Sequence, residues 1–428
     1  MLYNQQSSTI EGPAQPKLNT QGLSPHYQNT PVIECQADQN TFRSYTGSPV
    51  ETNTTVFFIS GNPGLIGYYH SFLSLLVRYL TDADEPTRKK SYLYEIYGCS
   101  LGGFEVHDDE YSPSKSAYGS HNCDNQDDPK RNGRLYGLED QICFVQEKLA
   151  ALMDDDTGTS DQGLCTAQRR KVILIGHSAG AYIAMEIVRR HHEAGSNLNP
   201  SQPVRQAFDI VGGIMLFPTL LDIAVSPSGR KLTTLLYFIP RLAVIASSLA
   251  RFLILVLPTT TLYSLVRFIM NDPPTHALDT TVTFLRSTDR VRQALHMAAD
   301  EMRTITSDKW TDDVWGLATA CEPITKLFFY FGRNDHWVAE QTRDEIIASR
   351  GQHDGLGPRM FICEEGLPHA FCLKDNDIMA RKVAGMIREI RKQLIWSSLY
   401  SYQYLSHGMP FLQRISQAIV TSIHTPEV

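Results

Sequence analysis

A mostly parallel α/β sheet covered by helices on both faces is the fold class the sequence predicts, on two observations. Short apolar, β-rich runs alternate along the chain with segments whose apolar residues recur at helical spacing. That alternation is the signature of strands returned to one sheet by crossover helices. The composition permits it: 42% of the 428 residues are hydrophobic and 20% charged, enough apolar matter for a large core and too much for a disordered chain. The length would suit two or three domains at about 150 residues each, but an α/β fold can hold most of it as one unit.

The elements follow in order. Residues 1–30 are rich in Gln, Ser, Pro and Asn and read as a flexible tail, with the folded domain expected over 31–395. Val56-Phe57-Phe58-Ile59 is a buried strand stopped by Ser60-Gly61-Asn62-Pro63-Gly64. Phe72, Leu75, Leu76 and Leu80 mark a helix, and Tyr92 to Tyr97 a second strand. A polar stretch over about 107–134 cannot supply core and reads as a surface insertion. Leu138, Ile142, Val145 and Leu149 predict a helix over 136–152, followed by a second polar insertion over about 154–169. Lys171 to Ile175 is a strand and Ala181 to His192 a helix. Further strands are expected at Ile210 to Phe217, Leu327 to Phe331 and Met360 to Cys363, and helices at 339–349 and 376–396.

An insertion over about 220–320 interrupts this rhythm. Its centre, Leu232 to Met270, is the most apolar block in the chain, yet Pro240, Pro258, Arg241, Arg251 and Arg267 cut it into pieces too short to span a bilayer. Two short helices lying in a lipid surface fit this pattern, as does a cap buried on the sheet. Residues 396–428 read as an amphipathic extension; its Trp396, Tyr400, Tyr402 and Tyr404 offer a second route to an interface.

Several functions are excluded at this stage. A formal charge of -7 without a basic run argues against nucleic acid. The eight cysteines form no close pair and no Cys/His spacing suited to zinc, so neither a metal nor a cofactor is expected. The first twenty residues lack the apolar run of a secretory signal, so the cysteines are expected as thiols in a reducing compartment.

The chemistry concentrates at Gly176-His177-Ser178-Ala179-Gly180. It fits G-x-S-x-G and stands between a strand and a helix, the setting of a nucleophile elbow. The glycines are a steric requirement, because the turn strains the serine and brings strand and helix close together. Gly98-Cys99-Ser100-Leu101-Gly102 repeats the pattern, but no helical period follows, so Ser100 is set aside. A serine hydroxyl needs a base, and the base needs a carboxylate to fix its tautomer. In chain order the acid should follow the serine and the histidine come last. Asp335 lies just past the strand Leu327 to Phe331, and His369 just past Met360 to Cys363. His276, His296 and His353 follow no recognisable strand, and His336 adjoins the acid; Glu364 and Glu365 are rival orienters too close in sequence to His369. His177 reads as a spacer of the elbow. The oxyanion should find one donor in the N–H of Ala179 and another in the loop Gly61-Asn62-Pro63-Gly64. Pro63 has no N–H, leaving Gly61, Asn62 and Gly64, with Asn62 favoured.

Together, Ile59 to Gly64 with Tyr68, Tyr69 and Phe72, then Gly176 to Gly180, Gly332 to Trp337 and Pro368-His369-Ala370-Phe371, resemble the lipid droplet-associated hydrolase family. The likeness covers about 50–395, although Ser60 stands where that family usually has proline. The resemblance implies the α/β-hydrolase fold with an apolar helical insertion. It also implies a serine hydrolase on the cytosolic face of the droplet or endoplasmic reticulum surface, seated through its apolar middle segment and acting on sterol esters or acylglycerols. Two other readings stay open: a droplet-coating or tethering protein with a weak triad, and acyl transfer or thioester cleavage by the same residues. No protein partner is indicated.

Overall fold

The computed structural model describes residues 35–47, 54–82, 93–106, 134–155, 169–196, 208–317, 325–351 and 357–407. The tail at 1–30, nearly all of the two polar insertions and residues 408–428 lie outside the described residues.

Eight strands form one sheet among the described residues: β1 (Cys35–Ala37), β2 (Thr41–Tyr45), β3 (Thr54–Ile59), β4 (Tyr94–Cys99), β5 (Arg170–His177), β6 (Phe208–Leu216), β7 (Lys326–Phe331) and β8 (Arg359–Ile362). Their spatial order is β1-β2-β4-β3-β5-β6-β7-β8. β1 and β2 pair antiparallel, as do β2 and β4, whereas every other neighbouring pair is parallel. This is the α/β-hydrolase fold that the sequence predicts. β3 is buried at every position because both of its faces are covered. Phe57 and Ile59 join the core shared with α2 (Leu138–Asp155) and α3 (Ala179–Ser196). On the opposite face the Phe58 ring packs at a tilt against Tyr69 and against Phe72 of α1 (His70–Asp82). The last helix among the described residues, which contacts both α1 and β6, covers this face too.

Between β6 and β7 run α4 (Pro227–Phe238), α5 (Leu242–Val256), α6 (Thr259–Ile269), α7 (Thr275–Arg286) and α8 (Thr288–Thr304). The expectation of two helices in the apolar block needs correction: the block holds the end of α4, all of α5 and all of α6. The reason is local, since α4 stops just before Pro240 and Pro258 caps α6. No single described helix is long and apolar enough to cross a membrane; α4 and α5 together are, but they meet at 93°. After β7 come α9 (Glu340–Arg350) and α10 (Asn376–His407). The latter runs straight through 396, so the chain has no break where a separate extension was expected.

The sequence reading also passed over β1 and β2. β1 is exposed along its length, and β2 turns only Phe42 and Ser44 fully inward. What fixes β2 is charge. The Glu95 carboxylate, fully buried in β4, accepts from Arg43 at 2.7 Å, Tyr45 at 3.2 Å, Thr55 at 3.0 Å and Arg170 at 2.8 Å. One acid thereby ties four strands together, and its oxygens are satisfied away from water. Glu95→Gln should therefore cost about 2 kcal/mol in urea unfolding, by leaving two guanidinium groups short of an anion. Arg169→Ala, which breaks an exposed pair with Asp209, should stay within about 0.5 kcal/mol. Equal effects would contradict this assignment.

Candidate active site

Three strand ends at one edge of the sheet deliver the site. β5 ends at His177 and α3 begins at Ala179, so Ser178 is the whole of the turn between them. Its φ is 56°, a left-handed backbone that non-glycine residues adopt only under constraint. The constraint is visible on both sides: Ser178 N–H donates to Leu216 O at 3.0 Å, and Ser178 O accepts from Ala181 N–H at 3.0 Å. A Cβ on Gly176 would stand 2.4 Å from Gly180 O, and one on Gly180 would stand 2.4 Å from Ile59 O. Both glycines are thus required by close backbone approach, as the pattern implies.

Asp335 follows β7 and His369 follows β8. His369 Nδ1 lies 2.7 Å from Asp335 Oδ2, and His369 Nε2 lies 2.9 Å from Ser178 Oγ. A carboxylate only accepts, so Nδ1 carries the proton and Nε2 is left to accept from the serine hydroxyl. The second Asp335 oxygen accepts from Trp337 N–H at 2.8 Å, which orients the carboxylate. Arg343 of α9 donates to Arg333 O at 2.7 Å and braces the same turn. Asp335 and His369 are buried, and Ser178 is half-buried.

The rival residues stand elsewhere. Ser100 is buried at the end of β4, where its hydroxyl accepts from Ile66 N–H at 3.2 Å. His276 pairs with Ser71 at 3.1 Å, and His336 is exposed with its ring 6.0 Å from that of His369. Glu365 accepts from Tyr330 at 3.0 Å and pairs with Lys382. His353 lies outside the described residues.

Of the two expected oxyanion donors, Ala179 opens α3, so its N–H has no carbonyl one turn back within the helix. The Asn62 side chain is engaged away from the serine, donating to Ala294 O at 2.9 Å and to Glu301 Oε1 at 3.1 Å, both on α8. Any contribution of Asn62 to an oxyanion therefore falls on its main-chain N–H. Glu301 is a residue the sequence reading missed. Its burial pushes the carboxyl up to about 8, so it is largely protonated at neutral pH while it receives the Asn62 amide. Tyr69 and His177 were missed as partners as well: they are hydrogen-bonded to each other at 2.8 Å beneath the elbow. No local signal announces either pairing, because each joins residues far apart in the chain. No group of three or more potential metal ligands occurs among the described residues.

A family model described as lipid-droplet associated hydrolase matches residues 52–372. Similar relatives carry the same description. The protein of Gallus gallus is 28% identical over 77% of this chain and 83% of its own length, and that of Homo sapiens 25% identical over 84% and 92%. Among solved structures, a membrane phospholipase A aligns at 13% identity over 84% of this chain and 87% of that one, with a TM-score of 0.45. A haloalkane dehalogenase from Bradyrhizobium elkani aligns at 12% over 84% and 99%, with a TM-score of 0.44.

The buried ring beneath the elbow gives the site a pH signature. Burial, followed by the charge of nearby His369, pushes His177 down to about 3 from 6.5. Unfolding frees this ring to bind a proton, so its stabilising contribution is complete above about pH 6.5 and is lost progressively as pH falls toward 3. Between pH 7 and pH 5, urea unfolding should show the wild type losing about 2 kcal/mol more than His177→Gln. Identical losses would contradict the neutral buried ring.

Proposed function

The chain belongs to the lipid-droplet associated hydrolase family, and on that premise we propose that it is a hydrolase cleaving carboxylic esters of stored lipids through Ser178, His369 and Asp335. One observation carries this reading: the imidazole of His369 bridges the strained Ser178 hydroxyl and the Asp335 carboxylate at 2.9 and 2.7 Å.

In this mechanism Ser178 Oγ attacks the acyl carbonyl while His369 Nε2 takes its proton. The N–H groups of Ala179 and Asn62 bind the oxyanion. Asp335 stays ionised and balances the imidazolium. His369 then hands the proton to the departing alkoxide, leaving an acyl ester on Ser178. Water, deprotonated by His369, attacks that ester, and the returning proton restores the serine. No metal or cofactor is invoked at any step.

The apolar insertion supports a lipid ester as substrate and a lipid surface as the workplace. α5 buries its small residues, Ser247 and Ala250, and turns Phe252, Leu255 and Val256 outward. This inverts the usual helix of a water-soluble cap. Tyr237 and Phe238 of α4 and Phe268 and Ile269 of α6 add to the exposed surface, Phe268 being 83% accessible. Arg230, Lys231, Arg241, Arg251 and Arg267 are exposed along the same helices, and the stretch from 223 to 271 contains no acidic residue. Apolar side chains entering the acyl layer, with basic groups among anionic headgroups, suit the phospholipid monolayer of a droplet or the cytosolic face of the endoplasmic reticulum. Of the two sequence-based readings of the block, these features support lipid seating over a buried cap.

Ser178→Ala and Asp335→Asn should reduce turnover of p-nitrophenyl butyrate and of emulsified cholesteryl oleate. The expected losses are about 10⁴-fold or more for both, with the fold retained by circular dichroism. Unchanged turnover in Ser178→Ala would rule out the assigned nucleophile, and the absence of turnover in the wild type would favour a coating role. Separately, the double substitution Leu255→Asp/Phe268→Asp should lower flotation with triolein emulsions coated in anionic phospholipid by about tenfold or more, while cleavage of the soluble ester persists. Undiminished flotation would place the lipid contact elsewhere, with the C-terminal segment the next to test.

A further inference from the structure

We propose that Tyr69 and His177 are positioning residues which hold the loop bearing His369 in place under Ser178, through one directed chain of hydrogen bonds. The inference rests on the triad reading above and adds to it the device that keeps the base in register with the nucleophile.

The direction of every link follows from donor and acceptor chemistry. His177 Nε2 lies 2.9 Å from the main-chain carbonyl oxygen of His369. A carbonyl only accepts, so Nε2 bears the proton. The ring stays neutral at any working pH, because burial and the neighbouring His369 depress its affinity for a second proton. Nδ1 is therefore bare and must accept, and its partner at 2.8 Å is the Tyr69 hydroxyl, which must donate. The chain thus runs from the Tyr69 hydroxyl through His177 to His369 O, and a single arrangement of protons satisfies it.

Water cannot substitute for any member. Tyr69 and His177 are each 4% exposed, and the rings of Phe371 and Phe217 stand 5.1 and 6.1 Å from that of His177. A broken link would leave a buried donor or acceptor unpaired, so the chain forms as a unit.

The chain matters to catalysis because fixing the His369 carbonyl limits where its imidazole can reach. The ring of His177 also sits 5.1 Å from the ring of His369. Only a neutral residue is compatible there once His369 has taken the proton of Ser178, since a second positive charge would oppose the transfer.

The experiment compares p-nitrophenyl butyrate kinetics of the wild type with Tyr69→Phe, His177→Asn, His177→Gln and the Tyr69→Phe/His177→Asn double variant, each checked for folding by thermal melting. An asparagine retains an acceptor in place of Nδ1 but lacks the reach to His369 O, whereas the glutamine amide can still donate to it. Tyr69→Phe and His177→Asn should lower kcat by about tenfold or more with KM held within about twofold. His177→Gln should recover kcat to within about threefold of the wild type, and the double variant should fall no more than about twofold below the weaker single, because both cut the same chain. Wild-type kcat in Tyr69→Phe and His177→Asn overturns the proposal, as does a loss in all variants that merely follows the melting temperature. If the wild type shows no turnover that Ser178→Ala removes, the triad reading fails, and the chain is then decided by nitrogen NMR of the wild-type histidines at pH 6. A neutral His177 ring protonated at Nε2 supports it, and a proton on Nδ1 or a charged ring refutes it.

Discussion

The backbone of Ser178 is the constraint on which everything else turns. A serine at φ 56° is tolerable only where its surroundings leave no alternative. Here β5 arrives and α3 departs with no spare residue, and the loop after β3 presses on the same point. Two glycines make that crowding sterically possible, since a methyl group at either position would overlap a main-chain oxygen. In return the hydroxyl stands at the sheet edge with a helix N-terminus directly behind it, where the first N–H groups of α3 have no internal partner. The strain and the placement of the hydroxyl have one origin.

The two halves of the molecule divide the work. The mostly parallel sheet fixes the ends of β5, β7 and β8, and hence Ser178, Asp335 and His369. The insertion between β6 and β7 meets the sheet from above: its α8 accepts the Asn62 amide, and the first turn of α4 is tied to the acid loop through Ser228 N–H and His336 O at 2.8 Å. The outer surface of that insertion is apolar and basic. The proposed lipid-facing surface and the geometry of the site are therefore joined through ordinary hydrogen bonds across the inner surface of the insertion.

Much of this was legible in the sequence, for reasons that differ by element. The elbow could be read because its demands are local: glycine two residues either side of a serine, between an apolar strand and an amphipathic helix. Asp335 and His369 could be read because each follows a short aromatic or apolar strand in the expected order. β2 escaped because only Phe42 marks its inner face, and its real anchor, the Arg43 to Glu95 pair, spans 52 residues of sequence. The inside-out burial of α5 was equally hidden, since its large apolar residues leave no polar stripe to say which side faces water; only the packing of Ser247 and Ala250 reveals it. His177 read as a spacer because its partners stand 108 residues before it and 192 after it. Pairings at that range are created by the fold, and composition carries no trace of them.

The most direct test of the convergence at the sheet edge is covalent mapping with a fluorophosphonate followed by peptide mass spectrometry. The structure predicts a single adduct, on Ser178, formed by the folded protein and absent from protein unfolded in urea, with Ser100 unmodified. An adduct on Ser100 or any other residue, or a folded protein that never reacts at Ser178, would contradict it.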